Sequence, residues 1–472
     1  MEHPIVHAPA GDIRGFLRDG AASFWGVPYA EPPVGERRFL PPEPMKAWDG
    51  VFDALQHGPI APQGPSDLEA TMGSFRREWR EDCLTLTINA PLSPEGAMPD
   101  PDAKLPVAVW FHGGANISGA GSLDWYDGAP LAKRGRMIVV GVNFRLAALG
   151  FLWHPAVNTK NLSILDQIEA LRWVQRNIAA FGGDPAKVTV FGQSAGGNAI
   201  VHMTAMPETA GLYRSIILES PSIGRGNHLE ADAARIAECL MKHLGIDPAA
   251  DDAAARLRAV PAQAMLEASD RCTAELGREF GGMLFKPVCD AWHTPAAAAE
   301  AAAKEAAKRG LRVVIGTTAD EMLAFVRPKS EEEAQAIRRA QAERYDRPDD
   351  LFARLAAEGG CDVWKYRFDW RAPDSVFGAC HTVELPFVFG TLDAWTDSPM
   401  LAGASREAME KLTDEMQQHW CRFIAEGRFD EAEWPRFSPA NPIHKIFDNV
   451  ENGTQRLLPD AEGLKEEKEA RK

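Results

Sequence analysis

The 472-residue chain has no apolar run long enough to cross a membrane; its longest, such as Met137–Val142, are the length of a strand. The N-terminal MEHPIVHAPAGDIRGF lacks a basic stretch leading into an apolar one, so no secretory leader is read there and the expected location is cytoplasmic. Cysteine is scarce: seven residues, with no CxxC pair and no zinc-type spacing, give no signal of a thiol-held metal. Their odd number suits free thiols in a reducing compartment. Positive charge is in deficit, 51 Lys and Arg against 67 Asp and Glu, and the net charge of −16 argues against a nucleic-acid partner. The acidity is read as serving solubility. There is no repeat at a period of about 20–50 residues, which excludes solenoids and propellers. Nor is there a Gly/Ser linker, so residues 1–472 are read as one domain.

What the chain does contain is an alternation of short β-branched runs with helical patterns. VAVWFH at 107–112, MIVVGVNF at 137–144, VTVFG at 188–192, SIILE at 215–219, LRVVIG at 311–316 and VWKYRF at 363–368 read as buried strands. Their nearly continuous apolar character suits a mostly parallel sheet covered on both faces. Residues 164–181 carry apolar side chains at helical spacing, and the Gly-Gly-Asp-Pro run at 182–185 ends that helix. The Ala/Lys/Glu stretch 296–309 reads as a solvated surface helix. The fold class is therefore α/β, with a large, mostly parallel sheet, helices on both faces, and helix-rich insertions at about 225–310 and 328–360.

One motif carries chemistry. Gly192-Gln193-Ser194-Ala195-Gly196 joins an apolar strand to a helical stretch and is the only GxSxG of the chain. A serine on so tight a turn has a strained backbone, and glycines two residues to either side remove the side chains that would collide there. The following helix directs its N–H groups at developing negative charge. A second loop, His112-Gly113-Gly114-Ala115-Asn116, follows the strand at 107; small residues there let backbone N–H groups approach a substrate oxygen. A serine nucleophile also needs a base, and the base needs an acid. His381 and His419 both lie beyond the later strands, and His419 falls in a helical pattern that suits a core or surface role. Asp320 and Glu321 both follow the strand ending near Gly316, and the residues alone do not choose between them.

Taken in order, these blocks resemble the type B carboxylesterase/cholinesterase family of α/β-hydrolases. The resemblance covers most of residues 10–450. It rests on FWGVPYAEPPVGERRF at 24–39, EDCL at 81–84, HGG at 112–114, NFRLAALGF at 143–151, FGQSAGG at 191–197, GTTADE at 316–321 and GACHTVELPFVFG at 378–390. It implies the α/β-hydrolase fold and a serine carboxylesterase that works through an acyl-enzyme on small-molecule esters, without a metal or other cofactor and away from membranes. Ser194 would be the nucleophile, His381 the base and Glu321 the acid, with an oxyanion hole at Gly114, Ala115 and Ala195. His112 would brace the loop. Arg38–Glu81 and Arg145–Asp166 would be buried ion pairs. Hydrolysis of amides or carbamates by the same triad is the nearest alternative. A non-catalytic interaction domain is a more distant one, against which all three triad positions are filled.

The chain departs from the family pattern at several points. Gln193 stands where a glutamate commonly precedes the nucleophile. Ala115 replaces a third glycine and Asn116 an aromatic residue, while Thr382 and Met322 replace glycines beside His381 and Glu321. Cys83 occupies a half-cystine position with no cysteine before it to pair with. These departures bear on substrate preference rather than on reaction class.

Overall fold

The computed structural model describes residues 3–448 and 456–459. Three short strands near the N-terminus, Ile5–Ala8, Gly11–Arg14 and Val51–Asp53, form a small separate sheet. The main sheet has eleven strands: β1 (Phe16–Arg18), β2 (Ala21–Pro28), β3 (Thr85–Pro91), β4 (Leu105–Phe111), β5 (Ile138–Val142), β6 (Gly183–Gln193), β7 (Ser215–Glu219), β8 (Arg312–Thr318), β9 (Asp362–Phe368), β10 (Ile443–Phe447) and β11 (Arg456–Pro459). Their spatial order is β11-β10-β9-β8-β7-β6-β4-β5-β3-β2-β1. From β5 to β10 neighbouring strands run parallel; β1–β3 and β11 are antiparallel edges.

The order turns back on itself at β4. The chain steps outward to β5, then returns to lay β6 on the other side of β4. Such a reversal opens a crevice at the C-terminal ends of the strands, where α/β sheets bind ligands. The register brings the ends together: Phe111 pairs with Gly192, Gln193 with Glu219, and Glu219 with Gly316. Four loops therefore begin side by side.

Alternate side chains of β4 feed two apolar cores. Val107, Val109 and Phe111 face one and Ala108 and Trp110 the other. The first core is closed by α1 (Leu162–Asn177), α2 (Ala195–Ala205), α3 (Glu230–His243), α4 (Ala262–Leu276) and α5 (Pro295–Arg309), with α7 (Arg347–Glu358). The second packs against α8 (Arg406–Glu426). The charged α6 (Glu331–Gln341) buries no side chain, and Glu331–Glu333 are exposed. Among the described residues, no helix is long and apolar enough to cross a membrane.

The expected strands and helices are present, with two corrections. The helix that opens at Leu162 passes into a 3-10 turn at Ile178–Phe181 and ends on Gly182 at φ 84°, but Gly183, Asp184 and Pro185 already belong to β6. The Ala-rich stretch is not a solvated helix. In α5, Ala298, Ala299, Ala302, Ala303 and Ala306 are buried, because methyl side chains let α2 and α7 approach closely while Lys304 and Lys308 stay outside. Thr294 caps its start by accepting from Ala297 N at 3.2 Å.

Both expected ion pairs form. Arg145 donates from Nε to Asp166 Oδ2 at 2.8 Å and from Nη2 to Oδ1 at 2.6 Å, with neither side chain more than 3% exposed. It also donates to Leu40 O at 2.9 Å, tying the loop after β5 to α1 and to the loop after β2. Arg38 pairs with Glu81 and donates to the carbonyls of Leu257, Arg258 and Val260. Removing one partner of a buried pair strands the other charge. Asp166→Ala is expected to cost about 3–5 kcal/mol in urea unfolding. Glu81→Ala should cost less, because Arg38 keeps three carbonyl acceptors and Glu81 lies nearer the surface; equal losses would contradict this ranking.

Candidate active site

The turn between β6 and α2 holds Ser194 at φ 55° and ψ −120°, a strained backbone for a residue with a side chain. Both flanking glycines are required sterically. A Cβ on Gly196 would lie 2.0 Å from Phe111 O, and one on Gly192 would lie 2.8 Å from Gly196 C. The turn is pinned from beneath, Ser194 N–H donating to Glu219 O at 2.9 Å. Ala195 opens α2, so its N–H has no acceptor within the helix and lies at the positive end of the helix dipole.

The loop after β4 lies against this turn: a Cβ on Gly113 would come within 3.1 Å of Ser194 Cβ. Gln63 braces it from outside, donating from Nε2 to Gly119 O at 3.0 Å and accepting from Gly119 N at 2.7 Å. His112 stacks on Phe144 at 4.3 Å, with its Nδ1 2.7 Å from Gly113 O. Burial pushes its imidazole down to about 4, so it is neutral. Gly114 and Ala115 hold φ of 106° and 55°, and neither N–H finds a protein acceptor among the described residues. Ala115 and Asn116, and Thr382 beside His381, take left-handed conformations that glycine reaches at no steric cost.

His381 and Glu321 meet in full burial. His381 Nδ1 lies 2.5 Å from Glu321 Oε2, and both side chains are 0% exposed. The second carboxylate oxygen accepts from Thr318 N at 2.8 Å, which fixes the acid to the end of β8. Asp320 points elsewhere, accepting from Arg371 Nε at 2.8 Å and Ala379 N at 2.9 Å. Geometry thus separates the two acids that the residues alone left open. His419 is buried in α8, its Nε2 2.6 Å from Lys445 Nζ, away from this cluster.

One contact was not legible in the sequence. Gln193 Nε2 lies 3.1 Å from His381 Nε2, on the nitrogen that faces away from Glu321. The same amide nitrogen is 3.5 Å from Nδ1, so it lies over the face of the imidazole and not on the in-plane lone pair of Nε2. No bond between Ser194 Oγ and His381 is present among the described residues, so proton transfer requires the two side chains to draw together. The only sequence signal was the departure at 193 itself.

Beside the turn is a narrow cleft lined by Leu68, Met72, Phe75 and Trp125 together with Gly113, Gly114 and Gln193. The walls come from the loops at 66–75 and 118–126, which show no periodicity to read. Behind the turn lie two buried acids. Glu219 accepts from Trp420 Nε1 at 2.7 Å and has one unpartnered oxygen; burial pushes its carboxyl up to about 8. Glu384 has no partner on either oxygen among the described residues, and burial raises it well above the ordinary range. A deep acid without a cation is held neutral.

The family model described as "Carboxylesterase family" matches residues 2–353. Para-nitrobenzyl esterase of Bacillus subtilis (strain 168) is 36% identical over 508 residues, covering 97% of this chain and 99% of that protein. The chain belongs to the carboxylesterase family. Phenmedipham hydrolase of Pseudarthrobacter oxydans is 33% identical over 486 residues, covering 94% of each chain. A solved structure of a thermophilic PNB esterase superposes with a TM-score of 0.86 at 34% identity, covering 99% of this chain and 100% of that one. The fold is the α/β-hydrolase fold, and this carboxylesterase is a carboxylic-ester hydrolase.

Glu219 offers a pH test of the site's interior. Its folded value of about 8 exceeds the ordinary 4.5, so between these values the folded state holds a proton that the unfolded state has lost. Its contribution to stability is full below about 4.5 and declines as pH rises toward 8. Gln at this position keeps an acceptor for Trp420 and cannot ionise. The melting temperature of Glu219→Gln should therefore gain on that of the parent enzyme as pH rises through this window; parallel curves would show that the carboxyl is already ionised in the fold.

Proposed function

We propose that this carboxylesterase hydrolyses small-molecule esters through an acyl-enzyme on Ser194, with His381 as base and Glu321 as acid. The observation that carries the reading is the fully buried His381–Glu321 pair, at 2.5 Å, beside a serine on a strained turn. The imidazole proton is held on Nδ1 by the carboxylate, which leaves Nε2 to accept the serine proton. Ser194 Oγ attacks the ester carbon and the carbonyl electron pair moves onto oxygen. The N–H groups of Gly114, Ala115 and Ala195 receive that oxyanion, while the dipole of α2 adds to its stabilisation. His381 then gives its proton to the departing alcohol, and in deacylation it takes one from water.

The apolar walls of the cleft suit an uncharged acyl or alcohol group, and the negative surface argues against nucleic acid. The single sheet that gathers residues 112 to 381 supports reading the chain as one α/β-hydrolase domain. All seven cysteines are unpaired, which supports work in the reducing cytoplasm.

A p-nitrophenyl ester panel of rising acyl length, run beside matched anilide and carbamate substrates, tests the reaction class. Ester turnover should exceed that of the other two. Ser194→Ala and His381→Ala should each lower kcat by about 10⁶-fold and Glu321→Gln by about 10⁴-fold. Near-full activity of Ser194→Ala would sink the assignment.

A further inference from the structure

Outside the cleft, three ligating side chains converge where no linear motif announces them. Cys239 and His243 lie one turn apart on the last part of α3, and Cys272 lies on the last part of α4, which packs against it. Their donor atoms all lie within 4.8 Å of one another, and the two Sγ atoms, 2.9 Å apart, would open to about 3.8 Å on a tetrahedral ion. Glu275, three residues after Cys272, holds His243 Nε2 at 2.9 Å. We propose that Cys239, Cys272 and His243 bind a zinc ion that clips α3 to α4, with Glu275 or solvent in the fourth position.

The donor set selects the metal. Two thiolates and an imidazole are the ligands of four-coordinate zinc, whereas hard cations prefer oxygen. The spacings are those two facing helices would need: i,i+4 for Cys239 and His243, i,i+3 for Cys272 and Glu275, each pair on one side of its helix. A purely apolar role accounts for two buried thiols between Ile236, Leu240, Met265 and Ala268, because free cysteine packs as a small hydrophobe. It does not account for an imidazole turned toward them and steadied by a carboxylate. The His243 side chain is 28% exposed, so an ion can enter from solvent.

Charge around the site is consistent with the proposal. Both helices end here, and the negative end of a helix dipole favours a cation. On binding a dication, each thiol releases its proton to solvent as its sulfur becomes a ligand. The ion would be structural, because neither helix contributes a side chain to the Ser194 cleft.

The test uses the full-length enzyme, reduced and stripped with a chelator, then titrated with Co²⁺ and afterwards with Zn²⁺. One equivalent of Co²⁺ should produce a thiolate-to-cobalt charge-transfer band, Zn²⁺ should abolish it, and zinc should raise the melting temperature without changing kcat on esters. Cys239→Ser with Cys272→Ser should remove the band. His243→Ala, whose side chain is partly exposed and whose loss leaves both thiols in place, should weaken binding at least about tenfold. Reduced protein that gives no charge-transfer band overturns the proposal, as does a His243→Ala variant that binds Co²⁺ as tightly as its parent. A Cys239–Cys272 disulfide in the protein as isolated, with no metal uptake after reduction, also overturns it and would mark the pair as a redox staple instead.

Discussion

The close approach of Gly196 to the carbonyl of Phe111 sets the position of everything that reacts. With no side chain at 196, α2 can start hard against the end of β4, and Ser194 is left on top of the turn at φ 55°. The same contact brings the loop after β4 alongside the serine, so that any side chain at Gly113 would crowd Ser194. A methyl group at 196 would separate the two strands' ends and part the serine from its oxyanion loop in one step. The strain at Ser194 is tolerated because the sheet over-determines it: β6 is paired on both sides, and Glu219 O ties down the serine N–H from β7.

The second constraint is electrostatic. Burying the His381–Glu321 pair needs every remaining oxygen satisfied, and Thr318 N supplies the one donor required. The other acids near the turn are managed differently. Glu219 and Glu384 lack cations and are held neutral by burial, and at 193 the chain carries an amide in place of a carboxylate. The interior behind the serine is thus depleted of negative charge although the molecule carries a net −16. That charge is carried on the surface, in runs such as Glu331–Glu333, where water solvates it.

What could be read from the sequence follows from which forces are local. Strand and helix runs were legible because each buries a face whose period is written in the chain. The serine turn was legible because its two glycines answer a clash within five residues. The choice of Glu321 over Asp320 was open in the residues alone and came only with the family resemblance, since both leave the same strand and only one is drawn to His381 while the other is taken by Arg371 and Ala379. The alanine helix was misread because its composition matches a solvated helix, whereas its burial depends on partners about 100 residues upstream and 50 downstream in the chain. The Gln193–His381 contact and the apolar walls of the cleft were likewise hidden, being made by residues from unconnected loops.

The same reasoning explains why a thiol cluster can be invisible in a sequence scan. Zinc-type spacing is a signature of ligands paired within one turn or knuckle, where sequence distance and spatial distance coincide. Here the ligands are divided between α3 and α4, and the 33 residues separating Cys239 from Cys272 encode nothing about their sulfurs lying 2.9 Å apart. Helical insertions face a problem that the sheet does not, because they lack a ladder of backbone hydrogen bonds to fix one helix against the next. Side-chain packing alone must set their register, and cores of Ala, Met and Cys set it loosely. A bond-like contact between α3 and α4, whether an ion or a disulfide, would fix that register at one point, leaving the sheet to hold the reacting groups and the clip to hold the insertion.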